Sequence, residues 1–186
     1  MDDRAFASAT RLANEIRDRR IGCVELLDFY LARAERHNPA LNAIVVWQLD
    51  QARERARAAD AALARGERWG PLHGIPMTVK ESFNVAGLPT TFGNPLWKDN
   101  IAAYNAFLID RLLQAGAIVF GKTNVPYMLA DAQSYSSCHR RAAAGSVSFA
   151  SRCGHPRRCA GSTLPYPTSL IAPSAPSRGG RRYRAS

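Results

Sequence analysis

The sequence runs Gly70-Pro71-Leu72-His73-Gly74-Ile75-Pro76-Met77-Thr78-Val79-Lys80-Glu81 through its most informative segment. The first seven of these residues are rich in Gly and Pro, which free or fix the backbone, and they predict a constrained loop. Residues 77–81 then predict a short strand. Lys80 therefore lies at the end of a predicted strand, directly behind a Gly/Pro-rich loop.

Two interpretations of Lys80 follow from this position. A lysine buried at the end of an apolar strand has its ammonium form disfavoured, which lowers its pKa and fits it to act as a base. A lysine at a strand end can instead extend its ammonium group into water, as most do. Spacing by itself leaves both interpretations open and favours the solvated lysine.

Three amphipathic helices are predicted before this segment. Ser8 is a candidate N-cap for the first helix, and Gly66 closes the third, which spans residues 50–64. The second helix runs over residues 24–36. We expect the sequence at residues 37–39, His-Asn-Pro, to end it, because proline disrupts a helix interior.

Further elements are predicted on both sides of the segment. Residues 105–115 predict another amphipathic helix, with Leu108 and Ile109 among its inward-facing side chains. Residues 117–120 are uniformly apolar and predict a buried strand. Residues 41–47 fit either a strand or an extended linker. This order of elements predicts an α/β fold class, with a sheet buried between helices.

The last part of the chain has a different composition. The whole chain carries a formal charge of +10, of which residues 136–186 contribute +9, with nine Arg and no acidic residue. Residues 1–135 balance sixteen Lys and Arg against fifteen Asp and Glu. Few apolar side chains and strong self-repulsion predict a disordered tail. We therefore expect an ordered part at residues 1–135 and a basic low-complexity tail at residues 136–186, frameshifted or unrelated to the rest.

Residues 70–81 resemble the Gly-Pro-Leu-His-Gly-Ile-Pro-(apolar)-Lys-Glu/Asp segment of the amidase-signature family. The resemblance covers residues 8–135, about two thirds of the chain. It includes further segments in the family's order, at residues 24–27, 38–43, 83–91, 113–126 and 133–135. It implies an incomplete, N-terminal portion of the amidase-signature fold, in which helices surround a mixed sheet.

The resemblance also implies a Ser–cis-Ser–Lys triad that hydrolyses an amide. In that triad one serine attacks the carbonyl carbon, a second serine with a cis peptide relays the proton, and the lysine is the terminal base. Backbone N–H groups of a Gly-rich loop stabilise the oxyanion. Lys80 matches the lysine and is the predicted catalytic residue, whereas Lys122 and Ser134 are interpreted as structural members of matched segments.

Neither catalytic serine has a match in this sequence. The family carries them in a Gly-Gly-Ser-Ser-Gly-Gly-type stretch and a later Gly-Gly-Ser stretch, whereas residues 144–148 and 160–163 contain one Gly each. The chain is therefore predicted to be a truncated, catalytically incompetent hydrolase of carboxamide C–N bonds. The apolar residues 112–113 and 118–120 are expected to stay exposed, because the core-forming strands that would cover them are missing. The alternative function is a basic-tailed protein that binds nucleic acid non-specifically.

The remaining expectations concern cofactors, partners and location. The metal-capable side chains Cys138, His139, Cys153, His155 and Cys159 fit no compact zinc spacing, so no metal or cofactor is predicted. No apolar run is long enough for a signal peptide or a transmembrane helix, which predicts a cytoplasmic protein without a membrane partner. A small-molecule amide is the expected substrate if the chain is active. No specific nucleic acid is expected, and the oligomeric state stays open.

Overall fold

The computed structural model describes residues 3–131 and Ser134, so the tail predicted at residues 136–186 lies outside the described residues. Helices and strands alternate along the described part. In chain order they are α1 (Ala9–Arg17), α2 (Cys23–Leu41), β1 (Ile44–Trp47), α3 (Leu49–Ala64), β2 (Pro76–Lys80), α4 (Phe107–Gln114) and β3 (Ile118–Thr123). Short 3₁₀ helices span Asp3–Phe6, Pro95–Trp97 and Tyr127–Leu129.

The strands form a sheet in the order β1-β3-β2. β1 runs antiparallel to β3 and β2 runs parallel to it, which confirms the expected α/β class with a mixed sheet. The register of β2 against β3 shifts between Met77 and Thr78, whose partners are Val119 and Gly121. Gly121 also lets β1 approach closely, because a Cβ there would lie 2.7 Å from the carbonyl oxygen of Val46.

The two faces of the sheet bury separate apolar clusters. β3 alternates between them, because Ile118 and Phe120 pack with α1, α2 and α3, whereas Val119 packs with Ile109 of α4. These three β3 side chains are at most 6% exposed. The expectation that residues 118–120 lack cover is therefore wrong, because the helices of the described part already cover both faces.

α4 is shorter than the sequence predicts. It begins at Phe107, two residues late, and ends at Gln114. Ile109 is fully buried, but Leu108, which we expected to face inward, is 47% exposed. Because α4 has only about two turns, only a narrow stripe of its apolar side chains contacts the sheet. Leu108 lies outside that stripe.

α2 continues through Pro39, so the predicted end at residues 37–39 is wrong. Pro39 lies in the last turn, where its missing N–H removes a single helical hydrogen bond. Asn42 ends the helix in the left-handed conformation (φ 50°), with its N–H donating to the carbonyl oxygen of Asn38 at 2.6 Å. The Asn38 side chain then bonds both backbone groups of Ile44, at 2.8 and 2.9 Å, and fixes the start of β1.

The starts of α1 and α2 show two kinds of capping. Ser8 caps α1 as predicted, accepting a hydrogen bond from the Arg11 N–H at 3.2 Å. The N-cap of α2 is Gly22, which has no side chain to accept a hydrogen bond. The carboxylate of Asp60 in α3 instead accepts two N–H groups from the first turn of α2, at 2.7 and 3.1 Å. Burial, aided by this carboxylate, raises the pKa of the Cys23 thiol to about 12. The thiol therefore stays protonated at neutral pH.

Candidate active site

Lys80 is the last residue of β2, and its backbone pairs with Thr123 of β3. Its side chain is exposed and makes no hydrogen bond or ion pair with another residue of the described part. Within the described residues, Lys80 therefore matches the second interpretation of its sequence position, in which the ammonium group lies in water. Burial is what fits an amine to accept a proton near neutral pH, so a catalytic Lys80 requires further cover over its ammonium group.

Glu81 follows Lys80 and points into the protein. Its side chain is fully buried, and its backbone N–H donates to the carbonyl oxygen of Thr123 at 3.0 Å. The two carboxylate oxygens accept the backbone N–H groups of Thr91 at 2.5 Å and of Phe92 at 3.0 Å. The carboxylate therefore anchors the loop that follows β2 to the end of that strand.

Lys122 of β3 is, like Glu81, a charged residue whose side chain is fully buried. Its ammonium group donates to the carbonyl oxygen of Pro89 and to the hydroxyl oxygen of Thr90, the latter at 2.9 Å. Burial lowers the pKa of Lys122 to about 8, while the negative charge of Glu81 acts in the opposite direction. Sequence reasoning singled out Lys80 as a lysine that burial could activate, whereas the buried lysine of this sheet is Lys122.

The two buried charged groups hold residues 89–94, here termed the clamp loop. Thr90 and Asn100 add two hydrogen bonds, because the Thr90 N–H donates to the Asn100 carbonyl at 2.9 Å and the Asn100 side chain donates to the Thr90 carbonyl at 2.7 Å. The Met128 N–H donates to the carbonyl oxygen of Phe92 at 2.7 Å. Phe92 has a φ of 52°, a conformation that a bulky residue keeps only when its surroundings hold it. The clamp loop is therefore preformed beside the end of β2.

His73 joins the Gly/Pro-rich loop to α3. Its Nδ1 accepts the Trp69 N–H at 3.2 Å, which leaves Nε2 to donate to the carbonyl oxygen of Ala59 at 3.1 Å. Burial lowers the pKa of His73, so the neutral ring is favoured. The next residue, Gly74, is left-handed (φ 76°), and a Cβ there would lie 2.2 Å from the Cys23 sulfur. Both residues pack the loop and set the direction in which β2 leaves it.

A family model described as Amidase matches residues 25–143, which is more than half of the chain. The chain belongs to the amidase family. The matched residues include Lys80, Glu81 and Lys122, together with the whole clamp loop. The resemblance found in the sequence is therefore confirmed, and these three charged residues lie in the amidase part of the chain.

Individual relatives of this amidase-family chain are much longer than it is. An acylamidase of Rhodococcus erythropolis is 40% identical over 121 residues, which are 65% of this chain and 25% of the relative. An indoleacetamide hydrolase of Bradyrhizobium diazoefficiens is 43% identical over 119 residues, which are 64% and 23% of the two chains. A solved structure of a fatty acid amide hydrolase has a TM-score of 0.71 and 25% identity, over 76% of this chain and 26% of that one. The chain thus spans about a quarter of the length of the curated relatives it matches.

Three further predictions concern metals, membranes and Ser134. The described part of this amidase-family chain holds no group of three or more His, Cys, Asp or Glu that could bind a metal ion. The cysteines and histidines of the tail lie outside it. Within residues 3–131, no helix combines the length and apolar character needed to cross a membrane. Ser134 is half-buried.

Proposed function

We propose that residues 1–135 are the lysine-bearing part of a carboxamide hydrolase in which Lys80 is the terminal proton acceptor. The contrast among the charged groups at the ends of β2 and β3 supports this assignment most directly. Glu81 and Lys122 are buried, and their hydrogen bonds hold the clamp loop. Of these three groups, only the ammonium of Lys80 has no such structural bond and can engage a catalytic partner.

The proposed reaction follows the family's chemistry. A serine hydroxyl forms a bond to the carbonyl carbon of a carboxamide and passes its proton, through a second serine, to the neutral amine of Lys80. The proton then moves to the leaving nitrogen, which departs as ammonia or an amine, and water hydrolyses the acyl-enzyme. The neutral amine is favoured once the ammonium group is withdrawn from water, so Lys80 acts in this reaction only when it is covered.

We propose further that this chain is inactive by itself. Its sequence contains no Gly-Gly-Ser-Ser-Gly-Gly stretch to supply the two serines. Without a nucleophile the covalent route is lost altogether. Each missing oxyanion donor removes a further ~3 kcal/mol of transition-state stabilisation. A catalytically incompetent part of a hydrolase is therefore what we propose for these 186 residues.

Ammonia release from small carboxamides, indoleacetamide among them, tests this proposal. The purified chain and its Lys80→Ala variant are both expected to give the rate of buffer. Lys98→Ala is the matched control, because Lys98 is an exposed lysine that forms an ion pair with the neighbouring Asp99 at 3.9 Å. Turnover that Lys80→Ala abolishes and Lys98→Ala preserves would contradict the inactivity, while supporting the role of Lys80.

We also propose that residues 136–186 are translated out of frame. Codons made only of G and C encode Gly, Ala, Arg and Pro, so off-frame translation of a GC-rich gene loses acidic residues and gains arginine, as the tail does. We expect the frame change directly after the codon for Tyr135, where the resemblance in the sequence ends. The nucleotide sequence tests this, because a shifted frame there should encode the Gly-Gly-Ser-Ser-Gly-Gly stretch. Its absence from both shifted frames contradicts the idea.

A further inference from the structure

A small cavity lies between α3 and α4, beside the start of β3. Its volume of about 230 Å³ is below the roughly 300–1,000 Å³ typical of sites for drug-sized ligands, so it suits a smaller molecule. The residues that line it include Gln51, Arg55, Val85, Ile109, Leu113 and Val119. Val119 pairs with Met77 near the start of β2, whereas Lys80 ends that strand. The cavity is therefore separate from the candidate active site.

Arg55 of α3 is the charged residue in the lining of this cavity. Its Nε donates to the carbonyl oxygen of Ala117 at 2.9 Å, and its Nη2 donates to that of Leu113 at 2.6 Å. The guanidinium also lies over the ring of Trp69, with Cζ 4.8 Å from the ring centroid. These contacts fix the plane of the guanidinium before any ligand binds.

The guanidinium of Arg55 keeps unused donors and has no anionic partner among the described residues. Both N–H groups of Nη1 and the second N–H group of Nη2 donate to no acceptor there. Burial lowers the pKa of Arg55, and no carboxylate of the described part opposes this effect. A half-buried cation without a counter-charge is costly, and an anion with two acceptor oxygens removes that cost.

The other lining residues favour a ligand with a compact apolar body. Val85, Ile109, Leu113 and Val119 give the cavity an apolar wall. Gln51 lies one helical turn before Arg55 on α3, so the two side chains share a face of the helix. The Gln51 amide makes no hydrogen bond within the described residues and can donate to the same anion as Arg55. Polar donors therefore face an apolar wall across the cavity, a combination typical of small-molecule sites.

We propose that this cavity is a binding site for a small monocarboxylate, whose carboxylate binds the free N–H groups of Arg55 and whose apolar part contacts the wall formed by Val85, Ile109 and Val119. One guanidinium balances the single negative charge of a carboxylate, and its parallel N–H groups match the two carboxylate oxygens. Inorganic phosphate has no apolar part, so it leaves the wall without a contact. The chemistry of the lining therefore favours an organic acid over a simple inorganic anion.

Benzoate is the probe, and Trp69 is the reporter because its ring lies against Arg55. The chain has three tryptophans, and the indole N–H resonance of Trp69 is assigned in a ¹H–¹⁵N spectrum by comparison with Trp69→Phe. Benzoate added to the full 186-residue chain at constant ionic strength should shift this resonance. A ligand of this size is expected to have a Kd on the order of 1 mM. Benzyl alcohol, which lacks the carboxylate, and inorganic phosphate should each bind about tenfold more weakly.

The variant Gln51→Glu gives Arg55 a counter-charge from α3 itself. The new carboxylate lies one turn before Arg55, in the favourable order for a helical ion pair, so the fold is retained. It competes for the free N–H groups, and the Kd for benzoate should rise about tenfold. Arg55→Gln removes the cation and should have the same effect. The matched control is Ala61→Glu, which adds the same charge at an exposed position of α3 about 15 Å along the helix, and it should stay within twofold of the parent.

The outcomes separate a carboxylate site from other kinds of binding. Weaker benzoate binding in Gln51→Glu, with a melting temperature no lower than that of the parent, supports the proposal even where Arg55→Gln fails to fold. Every variant keeps the basic tail, so binding of benzoate by its arginines produces no difference among them. The proposal is overturned when benzoate leaves the Trp69 resonance unmoved, or when Ala61→Glu weakens binding as much as Gln51→Glu does. It is also overturned when benzyl alcohol or phosphate binds as tightly as benzoate, which would indicate a purely apolar cavity or a general anion site.

Discussion

Lys80 and Lys122 lie at the ends of two neighbouring parallel strands, and their surroundings are opposite. Val79 pairs with Lys122, so the two lysines are one register position apart. Lys122 is fully buried and holds the clamp loop, whereas Lys80 is exposed. Alternation explains the difference, because Val79 and Glu81 turn inward and the residue between them must turn outward. One strand end therefore provides fixed support, and the other carries an exposed amine that makes no hydrogen bond or ion pair within the described residues.

The largest effect is expected at Lys122. Lys122→Met keeps an unbranched side chain of similar length but leaves the Pro89 carbonyl and the Thr90 hydroxyl without their donor, and it removes a cation that interacts with the charge of the buried Glu81. We expect the free energy of unfolding to fall by about 3 kcal/mol. Urea unfolding followed by tryptophan fluorescence measures this change. A loss below about 1 kcal/mol would mean that the ammonium group does not hold the clamp loop.

A smaller effect is expected at Glu81. Glu81→Gln keeps the shape of the side chain but replaces one acceptor oxygen by an NH₂ group, which then faces a backbone N–H of Thr91 or Phe92. The expected loss of stability is about 2 kcal/mol, since one buried donor is left unsatisfied. Glu67→Gln is the control, because Glu67 is an exposed carboxylate paired with Arg65. Equal losses in the two variants would contradict an anchoring role for Glu81.

The sequence predicts the fold of the described part well where apolar periodicity is strong. α1, α3, β2 and the buried β3 all follow from such patterns. The errors lie where tertiary contacts override local signals. Asn38 and Asn42 stabilise the last turn of α2 despite Pro39, and the packing of α4 leaves Leu108 in water.

The candidate site is less predictable than the fold. The position of Lys80 at a strand end follows from local sequence, but the clamp loop depends on hydrogen bonds between residues far apart, such as Lys122 and Thr90, which are separated by 32 positions. One feature of the sequence does indicate that Lys122 is bonded inside the protein. The apolar run at residues 117–120 continues directly into Gly121 and Lys122, and a cation so close to a buried strand requires a partner inside the protein.

The pH dependence of stability distinguishes the two lysines further. An unfolded lysine has a pKa of about 10.4, whereas burial lowers the pKa of Lys122 to about 8. Between these values the unfolded chain binds more protons, so this group makes the free energy of unfolding rise with pH. Cys23 acts with the opposite sign, because its pKa in the folded chain is raised to about 12.

The contribution of Lys122 to the pH dependence of the free energy of unfolding is therefore measured as the difference between the parent and the variant Lys122→Met. Urea unfolding at pH values of about 7.5 and 9.5, between which an amine with a pKa near 8 largely titrates, is compared for the parent and Lys122→Met. The parent should gain about 2 kcal/mol relative to the variant over this interval, because the Cys23 contribution cancels. Parallel profiles for the two proteins would contradict a buried, titrating Lys122.

The smallest effect on stability is expected at Lys80 itself. Its ammonium group makes no hydrogen bond or ion pair within the described part, so Lys80→Met removes no contact there, and the free energy of unfolding should change by less than about 0.5 kcal/mol. Lys98→Met provides the comparison, because Lys98 is an exposed lysine and its ion pair with Asp99, at 3.9 Å, is weak. Urea unfolding of both variants should therefore give curves that overlap with that of the parent. A loss at Lys80 well above that at Lys98 would show that its side chain already supports the fold, and it would remove the reason for treating Lys80 as the lysine available for catalysis.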